Sequence, residues 1–393
     1  MALTGLILTG GGARAAYQVG VLKGIHQILD QANLPHASPF QIICGTSAGA
    51  INAAALASRA DHFSEALNYL LGVWQHFRVE QVYRSDSLSV IRTGSQWLTA
   101  LSFGWMLRKQ PRSLLDNSPL RDLLEEYLDL DRLQRVLQKG SLRALAVSAS
   151  SYTSGQHHTF YQAAHAIAPW HRTQRLAQAG QITVDHLMAS AAIPFIFPAH
   201  ELKLGDRTEY FGDGSMRQLA PISPAIHLGA EKILVIGGGQ SQLASQSNAP
   251  GLHMHGSNQY PSLAQISGHA LSSIFLDSLS GDIERLQRIN RTLKVLTPEQ
   301  RAHTDLRPIS LLVISPSQRL DKLAVEHIGS LPRPIRALLG GVGGTEARGA
   351  ALASYLLFES GYTQALVRLG YGDTLVKRQE VLAFFANEDA SIS

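Results

Sequence analysis

Gly45-Thr46-Ser47-Ala48-Gly49 has the pattern G-x-S-x-G, in which small flanking residues let a chain turn sharply from strand to helix and present a serine hydroxyl as a nucleophile. The apolar run Gln41 to Cys44 before it reads as a strand, and the Ala-rich segment from Ala48 to Ser58 reads as a helix. The N-terminus of that helix would set partial positive charge and free N–H groups beside Ser47. A glycine-lined turn without catalysis shares these residues, so the partners decide. A second strand-to-helix junction, Gly10-Gly11-Gly12-Ala13-Arg14-Ala15, offers successive backbone N–H groups that can converge on an anion or a developing oxyanion. The same stretch also satisfies the dinucleotide fingerprint G-x-G-x-x-G/A. That reading wants a carboxylate at the end of the second strand. Asp30 has the spacing but falls at a helix end, and the second strand closes in Cys44-Gly45 without an acid.

A serine nucleophile needs a base. None of His227, His253, His255, His269, His303 or His327 has neighbours that mark it for that role, and with 16 histidines in the chain any such choice is cheap. Asp213, in Phe211-Gly212-Asp213-Gly214-Ser215, is the better partner: glycines can hold it in a tight turn with its carboxylate close to another backbone. A carboxylate can take the serine proton if a partly dry site raises its pKa. Taken alone, Gly-Asp-Gly is an ordinary turn. His157, His158, His165 and His171 invite a metal, but no H-x-x-x-H spacing pairs them with a carboxylate, and no metal is expected. The later clusters Gly237 to Gly239 and Gly340 to Gly344 lack the lysine of a P-loop.

Taken in order, the glycine triplet with Arg14, the Ser47 turn, the run Met188-Ala-Ser190-Ala-Ala-Ile-Pro194-Phe-Ile-Phe-Pro198 and the Asp213 turn resemble the patatin-like phospholipase family over roughly Leu6 to Gly229. The resemblance implies a hydrolase of lipid acyl esters with Ser47 as nucleophile and Asp213 as base. It implies an oxyanion hole in the Gly10 to Arg14 loop, made by the N–H groups of Gly11, Gly12 and Ala13 with positive charge from Arg14, and no cofactor. Three positions depart from the family pattern: Thr9 stands where plant members have an acid, Ala15 replaces a glycine, and Ser215 replaces the usual Gly or Ala. Only Ser215 touches the turn of the base, where its hydroxyl would lower the basicity of Asp213.

These residues need a scaffold, and the pattern of strand, glycine turn and helix, given twice in the first fifty residues, is that of a mostly parallel sheet covered on both faces. The expected fold is α/β, a three-layer α/β/α domain over residues 1–228, with residues 229–393 adding strands and helices to the same core. Expected strands are Leu6 to Leu8, Gln41 to Cys44, Arg143 to Ser148, Lys232 to Ile236 and Ile309 to Ile314. Expected helices run from Ala13 to Asp30, Ala48 to Ser58, Leu263 to Leu293 and Thr345 to Gly370. Ser241 to Pro261 reads as a mobile loop. Arg92 to Lys109 places Trp97, Leu101 and Trp105 four apart, which fits a lid or membrane-interface helix or an ordinary core helix.

With 34 basic against 30 acidic residues the net charge is only +4, which gives nucleic acid little to bind and leaves a lipid or phospholipid ester as the expected partner. The single Cys44 excludes an internal disulfide and fits a reducing compartment. The opening residues carry no basic segment ahead of a long apolar run, and no window reaches 18 consecutive apolar residues. A cytoplasmic location is therefore expected, with any membrane contact peripheral. The competing expectation is a lipid- or nucleotide-binding protein that keeps the scaffold without turnover.

Overall fold

The computed structural model describes residues 2–34, 38–86, 113–237, 262–341, 343–344 and 349–386. The segment read as a lid, membrane-interface or core helix (92–109) and the one read as a mobile loop (241–261) lie outside the described residues. The frame is one sheet built from β1 Thr4–Leu8, β2 Ile42–Thr46, β3 Ala144–Ser151, β4 His157–Ala163, β5 His171–Arg172, β6 Arg175–Ala179, β7 His200–Leu204, β8 Arg207–Asp213, β9 Lys232–Ile236 and β10 Ser310–Ile314. The order is β10-β9-β1-β2-β3-β4-β6-β5, with β8 also pairing β3 and carrying β7. From β10 to β3 every pairing is parallel. Beyond β3 the sheet turns largely antiparallel, an extension that the sequence did not announce.

Alternation along β1 shows why both faces are covered. Leu6 and Leu8 join a core that includes α1 (Ala16–Gln31), whereas Ile7 joins a second core with Leu279 and Leu286 of the Leu263–Val295 helix. Side chains alternate across a strand, so five consecutive buried residues mean two apolar layers. Strands from residues 232–236 and 310–314 lie in the same sheet as β1. The helix Ser360–Val376 packs on α1 so closely that a Cβ on Gly20 would stand 2.1 Å from Val367 O and one on Gly370 would stand 2.2 Å from Tyr17 O. Such backbone contact admits only glycine.

Two expected helices differ in detail. The first opens as a 3-10 turn, Gly12–Ala15, because Gly12 sits at φ +54°, outside the helical region, and α1 proper starts at Ala16. In the expected Thr345 to Gly370 helix, the described part holds Ala350–Leu356 and Ser360–Val376, separated where Glu359 is extended. Leu356 O, freed at that break, accepts the Tyr83 hydroxyl at 2.8 Å.

Candidate active site

β2 runs into Ser47, which caps α2 (Ala48–Ala57) at φ 56° and ψ −131°. A serine in that region carries strain of about 1–3 kcal/mol, tolerated because its surroundings hold it. The flanking glycines are obligatory by distance: a Cβ on Gly45 would lie 2.5 Å from Ala50 Cα, and one on Gly49 2.3 Å from Leu8 O. The Ser47 N–H donates to Ser190 Oγ at 2.9 Å, and Ser190 Oγ donates to Ser148 O at 2.6 Å. Ser190 therefore fixes the Ser47 backbone to β3. The sequence reading included it in the Met188 to Pro198 run without giving it this role.

Asp213 ends β8, where antiparallel pairing sets it beside Ala149 of β3. Its N–H donates to Ala192 O at 2.9 Å, and its Oδ1 accepts the Ser215 N–H at 2.9 Å. The side chain is fully buried. Burial raises its pKa to about 6, against hydrogen bonds from the Ser47 hydroxyl and from Ser215, both of which lower it. Oδ2 has no partner at full hydrogen-bond geometry, so the Ser47 contact acts on the carboxylate while still long or misaligned. Catalytic hydrogen bonds in a site without substrate commonly have this character. Gly214 lets β2 and β3 meet this turn: a Cβ there would lie 2.2 Å from Ser148 O and 3.0 Å from Thr46 Cγ2. Replacing Gly214 with alanine is expected to displace the Asp213 turn and lower the melting temperature by several degrees, which a thermal unfolding scan measures.

The glycine loop faces the same turn, since a Cβ on Gly10 would lie 2.6 Å from Ser215 Oγ. The Arg14 N–H bonds back to Gly11 O at 3.1 Å, whereas the N–H groups of Gly11, Gly12 and Ala13 meet no acceptor among the described residues. These are the free donors an oxyanion needs. Arg14 is committed elsewhere. Its guanidinium donates to Ser354 Oγ (2.6 and 2.9 Å), to the Tyr355 hydroxyl (3.0 Å) and to Ala351 O (3.4 Å), and lies 3.9 Å over the Tyr355 ring. It ties the loop to the helix Ala350–Leu356, so its guanidinium is not free for the role the resemblance gave it.

A buried polar chain, unread in the sequence, braces the loop from behind. Gln18 Nε2 donates to Thr9 O (2.7 Å), Asn52 Nδ2 to Gln18 Oε1 (2.9 Å), and Trp74 Nε1 to Asn52 Oδ1 (2.8 Å). It links β1, α1, α2 and α3 (Phe63–Gln75) through groups that would each be costly to leave unpaired. Asp30, the acid of the dinucleotide reading, lies near the C-terminal end of α1, and β2 ends without a carboxylate.

Ser47 and Gly12 stand in the wall of an apolar cavity of about 730 Å³, its open mouth included. The cavity extends between α2, α3 and the helix Ser118–Tyr127, lined by Val73, Leu120, Leu124 and Phe197 among others. The Ser47 hydroxyl thus lies between the buried Asp213 carboxylate and the wall of an apolar cavity that Gly12 of the glycine loop also lines.

A family model described as patatin-like phospholipase matches residues 6–226. A cGAMP-activated phospholipase from Pseudomonas aeruginosa is 30% identical over 216 residues, which is 55% of this chain and 53% of that protein. The match thus spans about half the length of the relative. Among solved structures, VipD from Legionella pneumophila aligns at 13% identity with a TM-score of 0.33, over 94% of this chain and 67% of VipD. Human GIVD cytosolic phospholipase A2, in complex with a fluorophosphonate inhibitor, aligns at 13% identity with a TM-score of 0.41, over 98% of this chain and 59% of that one.

Proposed function

This chain belongs to the patatin-like phospholipase family, and from that premise we propose that it hydrolyses acyl esters of lipids through Ser47 and Asp213. The observation that carries the reading is the buried Asp213 carboxylate, its pKa raised to about 6, engaging the hydroxyl of a strained Ser47 at the wall of an apolar slot. Asp213 takes the Ser47 proton as Oγ attacks the ester carbonyl. The Gly11, Gly12 and Ala13 N–H groups hold the oxyanion, each donor lowering the barrier by about 3–4 kcal/mol. The intermediate collapses to an acyl-Ser47 ester, and the leaving alcohol departs with the proton from Asp213. Water then attacks the acyl group, giving its proton to Asp213 and releasing the fatty acid, and the proton returns to Ser47. No step calls for a metal.

The slot selects the substrate, because each buried methylene contributes about 0.8 kcal/mol. Hydrolysis of p-nitrophenyl esters in excess chelator is expected to proceed undiminished, with kcat/KM rising from acetate to esters of eight or more carbons. Leu124→Trp, which fills the slot, is expected to move the optimum to shorter chains. A flat profile in both proteins would remove the cavity from the acyl-binding role. Contact with a lipid surface belongs to the same reading: Phe195, 77% exposed, lies two residues from the cavity-lining Ile193 and Phe197. No helix among the described residues is long and apolar enough to cross a membrane.

A second reading concerns regulation and is favoured by the relative named for activation by cGAMP. On that reading hydrolysis stays low until a cyclic dinucleotide binds, and assays with and without cGAMP would show a large stimulation. A rate indifferent to cGAMP returns the account to the unregulated hydrolase.

A further inference from the structure

On the far side of the Asp213 turn from the acyl slot lies a second cavity of about 320 Å³, its mouth included. Its polar lining is His157 and Thr159 from β4, Arg172 from β5, Arg175 from β6, Gln218 and Ser223. No carboxylate lines it. Among the described residues neither Arg172 nor Arg175 forms a salt bridge. Among the described residues the one hydrogen bond of either guanidinium runs from Arg172 Nη1 to His171 O, at 2.9 Å. The acid that acts on Arg175 is Asp282, on the Leu263–Val295 helix; it is bound to the Ile222 N–H at 2.9 Å and pairs with Arg285 at 3.6 Å. His157 is 3% exposed, and its Nδ1 has no hydrogen-bond partner. Two guanidinium groups with no acid among them form a site for an anion that brings several acceptor oxygens, while His157, which burial keeps uncharged by lowering its pKa to about 3, offers its open Nδ1 as an acceptor for a phosphate hydroxyl.

The identity of that anion is narrowed by Trp170. It also lines the cavity, but both its faces are taken: Tyr161 stacks on it at 5.2 Å and His227 at 4.7 Å. No aromatic face is left for a base. Recognition would run through the phosphate and its neighbouring hydroxyls.

The inner wall of the cavity touches both catalytic turns. Gln218 Nε2 donates to Thr46 Oγ1 at 2.9 Å and to Ser148 Oγ at 3.4 Å. Thr46 immediately precedes Ser47, and Ser148 offers the carbonyl that anchors Ser190. The His157 ring lies close enough to the Gly214 backbone, directly after Asp213, for that peptide to raise its pKa against the effect of burial. A ligand drawing on His157 and Gln218 therefore pulls on the backbone of the nucleophile and of the base together.

We propose that the Arg172–Arg175–His157 cavity binds a phosphate monoester and that its occupancy adjusts the alignment of Ser47 with Asp213. The binding half stands on the cavity alone, whereas the coupling half rests on the dyad reading above. The ligand chemistry is common to a lipid headgroup and to a free phosphate ester, and the test separates them.

Calorimetric titration of the full chain with inorganic phosphate and with glycerol 3-phosphate, beside sedimentation with phosphatidylcholine vesicles with and without phosphatidic acid, measures binding. The comparison is with Arg172→Gln/Arg175→Gln and with the conservative Arg175→Lys, each checked for folding by thermal unfolding. Wild type is expected to bind at least one of these probes, the double variant about tenfold more weakly or worse, and Arg175→Lys in between. Binding of glycerol 3-phosphate identifies the free ester as the source, and binding of phosphatidic acid vesicles alone identifies the headgroup. No binding by wild type, or equal binding by the double variant, overturns the site. In parallel, hydrolysis of p-nitrophenyl butyrate with saturating ligand is expected to change at least about threefold in wild type and not in the double variant. A rate that ignores a bound ligand overturns the coupling. If wild type hydrolyses nothing, the dyad reading fails while calorimetry still decides the site.

Discussion

Ser47→Ala is expected to lower kcat toward ester substrates by about 10⁴–10⁶, the scale seen when a serine nucleophile is removed while its oxyanion donors remain. Substrate affinity is expected to persist, since the slot owes its lining to Val73, Leu124 and their apolar neighbours and not to the hydroxyl. A companion substitution reads the strain itself. At φ 56° any side chain is strained, and alanine keeps that strain whereas glycine releases it. Ser47→Gly is therefore expected to be as inactive as Ser47→Ala but more stable by about 1 kcal/mol, after the added freedom of the unfolded glycine is deducted. Steady-state kinetics and thermal unfolding of the pair measure both effects. Equal stability would mean the turn stores no strain.

Asp213→Asn is expected to lower kcat by about 10³, within the range for loss of a general base. Wild-type kcat/KM is expected to rise with pH and to level off above about 6, where the carboxylate becomes charged and able to accept the serine proton. Stability should move the opposite way. Because the folded pKa lies above the ordinary carboxylate value of 3.8, the folded chain binds this proton more tightly than the unfolded chain. The stability contributed by Asp213 is present below about pH 4 and is lost as pH rises through about 6. The loss is on the order of 3 kcal/mol. At pH 8 the asparagine variant is expected to unfold at a higher temperature than wild type while hydrolysing far more slowly. Urea titrations across pH 4 to 8 test the slope, and a variant that loses stability at pH 8 would show that the charge is solvated.

How much of this was readable beforehand depends on where the information sits. The parallel half of the sheet was legible because β1, β2 and β9 are short apolar runs buried on both faces, and β10 is an apolar run at the sheet edge that buries Leu312 and Ile314. The glycine triplet and Gly45-x-Ser47-x-Gly49 mark their own turns through composition. β4 was not legible, since His157, His158, Thr159 and Gln162 are polar residues that the fold buries, and they break any apolar pattern. β7 and β8 did carry a signal, Gly205-Asp206 between alternating strands with Gly205 at φ +61°, the mark of a hairpin. Asp213 could be singled out from its glycines, but Ser190 and Gln218 could not be. Their roles depend on hydrogen bonds to residues as far as 143 and 172 positions away, and nothing local distinguishes them from surface serine and glutamine. The commitment of Arg14 to Ser354 and Tyr355, across some 340 residues, is hidden for the same reason.

The most direct test of the account is the covalent intermediate. Wild type would be mixed with p-nitrophenyl octanoate in chelator, quenched in acid during turnover and examined by intact-mass and peptide mass spectrometry, beside Ser47→Ala and Asp213→Asn. The account predicts one added octanoyl group on the peptide carrying Ser47 in wild type, none in Ser47→Ala, and slow accumulation in Asp213→Asn. Hydrolysis with the acyl group on another residue, or a Ser47→Ala protein that turns over at the wild-type rate, would contradict it.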